Sequence, residues 1–97
     1  MVLEETEIPV RESVAGLCEL LGLDPMYVAC EGRLVAVVQE IAAETVLNAM
    51  LAHPLGVQSR MIGEVVAEHP NTVVMNTCVG GSRVVDVLSG EQLPRIC

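Results

Sequence analysis

The chain has 97 residues and a formal net charge of −8, and its five cations, Arg11, Arg33, Arg60, Arg83 and Arg95, stand well apart, so there is no basic stripe to follow a phosphate backbone. Phe and Trp are absent and Tyr27 is the sole aromatic side chain, which excludes a base-stacking platform and leaves Val, Leu, Ile, Ala and Met to build a core that buries roughly two-thirds of the unfolded surface. Glutamates at 4, 5 and 7 do not fit a signal peptide, and the longest uncharged run, 45–59, is broken by Asn48, His53, Pro54 and Gly56, so neither secretion nor a membrane span is expected.

Residues 1–7 are acidic and lack an apolar period, and they read as a linker outside the fold. Over residues 11–21, Val14, Leu17, Cys18 and Leu21 recur at helical spacing and Gly22 follows as a C-terminal cap, which predicts a first helix. Asp24-Pro25 then breaks the pattern. Two β-prone runs, 26–30 and 33–38, flank Glu31-Gly32 and read as a hairpin, with Glu31 on the turn and Gly32 where positive φ is needed.

Residues 41–52 place Ala43, Val46, Leu47 and Met50 on one stripe and Glu44 and Asn48 on the outer face, predicting a second helix that ends before Pro54-Leu55-Gly56. Three Val-rich runs, 61–68, 72–79 and 82–88, are separated by His69-Pro70-Asn71 and Gly80-Gly81 and read as a three-strand meander. Helix, hairpin, helix and meander together predict an α+β domain over residues 8–88, a mainly antiparallel or mixed sheet with two helices on one face. Residues 89–97 read as a mobile tail carrying Cys97.

The cysteines at 18, 30, 78 and 97 contain no close pair of the kind that metal or redox motifs use, and no metal site is expected. Cys18 on the helical stripe and Cys78 inside a strand read as core thiols. Cys30, beside Glu31, is open to either a core or a site reading. Cys97 ends the sequence, and the seven residues beyond Gly90 extend about 23 Å, the reach of a swinging carrier. The plainer alternative is a frayed terminus. Glu31 is either a general base held out on a turn or a solvated turn acid. His53 and His69 each precede a proline, and His53 is placed to complement the carbonyl end of the second helix. Gly80-Gly81 joins two strands and opens no helix, so it is not a phosphate cradle.

Residues from Ile8 onward resemble the C-terminal domain of the HypE family of hydrogenase maturation proteins, carbamoyl dehydratases with a PurM-like fold related to aminoimidazole ribonucleotide synthetase. The stretches that carry the resemblance are Gly22-Leu23-Asp24-Pro25, Glu31-Gly32, His53-Pro54-Leu55-Gly56, Gly63-Glu64-Val65-Val66 and, most specific, Gly90-Glu91-Gln92-Leu93-Pro94-Arg95-Ile96-Cys97. The resemblance implies that Cys97 is carbamoylated by a transferase, HypF, and that ATP-driven dehydration leaves an S-bound thiocyanate. The cyanide then passes to iron held by HypC and HypD for nickel-iron hydrogenase. Pro94, Arg95 and Ile96 would form the tail behind Cys97, and Glu31 would be the base that deprotonates the nitrogen.

The same resemblance implies ATP with Mg in an N-terminal domain that this sequence lacks, with no cofactor or metal bound by the 97 residues and no activity from them alone. A cytoplasmic location and a homodimer of the full-length protein also follow, without nucleic acid or membrane partners. Cys30 stands where the family commonly has Asn. If that Asn helps place the carboxylate, Glu31 sits differently here; if it merely forms the turn, the change is tolerated. The alternative reading is a noncatalytic dimerisation or docking domain, and a third, a thiol-redox protein, requires a reversible disulfide from Cys97 to Cys30 or an external thiol.

Overall fold

The structure is a computed structural model that describes residues 1–28 and 30–86. In chain order it contains β1 (Val2–Glu4), α1 (Glu12–Leu21), α2 (Glu40–Leu51), β2 (Gly63–Glu64), β3 (Val73–Asn76) and β4 (Ser82–Val85), with single-turn 3₁₀ helices at Glu5–Glu7, Pro25–Tyr27 and Pro54–Gly56. The class is α+β with a mixed sheet, as the sequence predicts. The described residues fall into two compact units, one of Met1–Pro9 with Val37–Asp86 and one containing Val10–Ala36.

The first unit holds the sheet, in the order β2-β1-β3-β4. β1 runs parallel to β3, with Leu3 opposite Met75 and Glu4 opposite Asn76, and antiparallel to β2, with Leu3 opposite Gly63. Because Leu3 and Met75 are register partners, their side chains leave the sheet on the same face, and both are buried, Met75 completely. β3 and β4 form the expected hairpin, Val73 pairing with Val85 and Asn76 with Ser82. Its loop is closed by Thr77, whose N–H donates to the Gly81 carbonyl at 2.7 Å while its hydroxyl oxygen accepts from the Gly81 N–H at 3.1 Å.

Two expectations about this unit are corrected. Residues 1–7 are not a linker outside the fold: residues 2–4 supply the strand between β2 and β3, and the exposed Glu4 accepts from the Asn76 amide at 2.8 Å. The run 61–68 yields two strand residues, and they pair with β1 rather than β3, so the three-strand meander is a two-strand hairpin plus a separate edge strand. α2 covers the expected stretch. Past its last residue the Ala52 N–H reaches Asn48 O at 3.1 Å and the His53 N–H reaches Met50 O at 3.1 Å, so backbone donors satisfy the helix end.

In the second unit α1 ends where the sequence predicts. Gly22 adopts φ 69°, its N–H meets Glu19 O at 3.4 Å, and the Leu23 N–H meets Cys18 O at 2.8 Å, the paired closure that a left-handed residue permits. The hairpin expected over 26–30 and 33–38 is absent among the described residues. Asp24-Pro25 turns Met26 and Tyr27 into a 3₁₀ helix, and the apolar run 33–38, with Leu34, Val35 and Val37 exposed, has β-prone residues without a paired strand. Strand preference comes mostly from cross-strand packing and does not fix a strand without it.

Candidate functional site

Glu31 lies in a bend between Cys30 and Gly32, and all three are exposed. Gly32 has φ 80°, the positive value expected of it, so the chain reverses after Glu31 without the steric cost a Cβ would bring. The Cys30 thiol donates to the Glu31 carbonyl oxygen at 3.6 Å, a weak bond within the bend. Among the described residues no hydrogen bond or ion pair holds the Glu31 carboxylate. Such a group can accept a proton from a molecule brought to it, and its placement depends on the backbone on either side.

The approach to that bend is built by Asp24. Its Oδ1 accepts from the Met26 N–H at 2.9 Å, its carbonyl accepts from the Tyr27 N–H at 2.9 Å, and Pro25 occupies the first position of the turn. Sequence reasoning treated Asp24-Pro25 as a breaker and missed the cap, although Asp before Pro at a helix start is the signal for one.

Cys97, with Pro94, Arg95 and Ile96, lies outside the described residues. Cys18 is buried, as expected of a core thiol. Cys78 is not: β3 stops at Asn76, and the Cys78 thiol is exposed on the loop, donating to Glu5 Oε1 at 3.8 Å. His53 serves the following turn rather than the end of α2, its Nδ1 accepting from the Leu55 N–H at 3.1 Å, which puts the ring proton on Nε2. His69 takes φ 55° in the turn before β3, closed by the Thr72 N–H on the His69 carbonyl at 3.1 Å. Among the described residues no three His, Cys, Asp or Glu gather where a metal ion could be held, and no helix is long and apolar enough to cross a membrane.

Residues 1–76 match the family described as AIR synthase related protein, C-terminal domain. The chain belongs to this family. Within the AIR synthase related group it is 56% identical over 97 residues to the carbamoyl dehydratase HypE of Rhodobacter capsulatus and 58% identical over 97 residues to that of Cupriavidus necator. Each match takes in 100% of this chain and 28% of the relative's length. Among solved structures, the hydrogenase maturation protein HypE in complex with ATP is similar at TM-score 0.84 and 43% identity, over 99% of this chain and 30% of that one. A HypE-HypF complex is similar at TM-score 0.80 and 40% identity, over 88% of this chain and 27% of that one. The C-terminal fold of the family is thus the one expected from the sequence, and its high-identity members serve hydrogenase maturation.

Proposed function

We propose that this domain is the carrier portion of an ATP-dependent carbamoyl dehydratase that makes the cyanide ligands of nickel-iron hydrogenase. The similarity across all 97 residues to carbamoyl dehydratases, tail included, carries the reading. The Cys97 sulfur accepts a carbamoyl group from a HypF-type transferase, forming an S–C bond to C(=O)NH₂ as the bond from the carbamoyl carbon to its donor breaks and the thiol proton is released. Transfer of the γ-phosphoryl of ATP to the carbamoyl oxygen releases ADP and makes that oxygen a leaving group. The C–O bond then breaks as the nitrogen gives up its protons, leaving phosphate and an S-bound cyano group. The balance is one ATP consumed, with ADP, phosphate and one proton released.

Glu31 acts as the base for nitrogen deprotonation. ATP and Mg are bound by the remainder of the longer protein, and the solved HypE with ATP and the HypE-HypF complex support the nucleotide and the transferase as partners. The cyano group is delivered to iron held by a HypC-HypD complex, in a cytoplasmic protein that is a homodimer at full length.

The test is mass spectrometry of the C-terminal peptide after the full-length protein is incubated with the transferase, carbamoyl phosphate and ATP. A carbamoyl and then a cyano adduct on Cys97, both lost in Cys97→Ser, are expected. An adduct on Cys18, Cys30 or Cys78 instead would reject the reading.

A further inference from the structure

Among the described residues no side chain holds the Glu31 carboxylate, and the main chain on either side of the bend is what they offer to place it. After it stands Gly32, which sets the reversal. Before it, six residues carry a dense set of constraints: the closure of α1 at Gly22 and Leu23, the Asp24 cap on Met26, the Asp24 carbonyl on Tyr27, and the fixed φ of Pro25. The turn so formed packs against α1. α1 and the capped turn therefore act as one bracket from which the chain runs to the bend.

We propose that Asp24 is a positioning residue for the Glu31 carboxylate, an inference that rests on Glu31 being the base assigned above. The Asp24 side chain ties the start of the turn to its own interior through Oδ1. Without it, Met26 N–H loses its acceptor and the turn can open toward extended backbone, which Pro25 also permits. Four Cα–Cα steps lead from Tyr27 to Glu31, a span of at most about 14 Å, so a small rotation at the turn becomes a displacement at the carboxylate. Displacement of a reacting group by about 1 Å can cost 10²-fold in rate. Asp24 touches no reacting atom and acts through the main chain.

The experiment measures dehydration by full-length protein first carbamoylated on Cys97 and then mixed with ATP. Asp24→Ala is expected to slow this step about tenfold while the KM for ATP and the preceding carbamoylation stay unchanged. Asp24→Asn keeps an acceptor oxygen and is expected to restore the rate. Glu31→Gln is expected to be slower still, and adding Asp24→Ala to it to cost nothing further. Asp24→Ala at the wild-type rate, with Glu31→Gln slow, overturns the positioning role and leaves the base assignment standing. Equal slowing by Asp24→Ala in both backgrounds marks a general structural role and also overturns it. Glu31→Gln at the wild-type rate removes the base assignment itself, and the inference with it. Should Asp24→Ala not fold, Pro25→Ala loosens the same turn and is expected to slow dehydration by a smaller factor; no slowing counts against the inference.

Discussion

At residue 56 there is room for a hydrogen atom and for nothing larger, because a Cβ built there would run into the carbonyl of Met50 at the end of α2. Gly56→Ala is therefore expected to destabilise the domain by about 2 kcal/mol, since the atom it meets is backbone and cannot swing aside. Hydrogen exchange over residues 48–57 of the full-length protein reads this as faster exchange at the end of α2. At this scale the sequence was legible where one residue type has one geometric use, as at Gly22 and Gly32, both of which take the positive φ expected of them. His53 was not legible in the same way, because an imidazole between a helix end and a proline turn can serve either, and only the Leu55 N–H contact decides. Cys78 was misread for a similar reason, as β3 stops at Asn76 and Thr77, whose hydroxyl accepts from the Gly81 N–H, already belongs to the loop. Of the candidate site, the Glu31-Gly32 bend was visible in the residues, whereas the Asp24 cap that precedes it was not.

Helix α1 buries Cys18 alone and exposes the rest of its length, and Gly16 in its middle faces open space. Gly16→Ala is expected to stabilise the domain by about 1 kcal/mol, because alanine restricts the unfolded chain and meets nothing in the folded one. A raised thermal midpoint with an unchanged dehydration rate checks it. Both helices were readable from apolar spacing to within a residue or two at each end. The strands were less so, because spacing tells which residues favour an extended chain and not which neighbour they find. The run 33–38 has the composition of a strand and no partner strand among the described residues, while β1, three residues long and ending in the acidic stretch of Glu4 and Glu5, has two partners.

For the molecule as a whole, the sheet depends on β1 because every path of hydrogen bonds from β2 to β3 and β4 crosses it. Its buried residue, Leu3, stands beside the fully buried Met75. Leu3→Ala is expected to cost about 3 kcal/mol, the loss of a buried side chain plus an incompletely closed cavity. Exchange protection should fall at residues 73–76 of β3 and also at residues 82–85 of β4, which does not pair with β1. The glutamates around β1 add contacts of their own, with Glu7 3.6 Å from Arg60 and Glu4 bonded to Asn76. The Arg60 pair is half-exposed on both sides and contributes little to stability.

The pairing of Val2 with Val74 also bears on how the protein is made. A ribosome releases the first strand long before it has translated the neighbour that strand lies parallel to, and closing so wide a loop carries an entropic cost that is recovered only when both are present. β1 thus emerges unmatched by its parallel neighbour, and the sheet closes only once β3, some seventy residues further on, has left the ribosome.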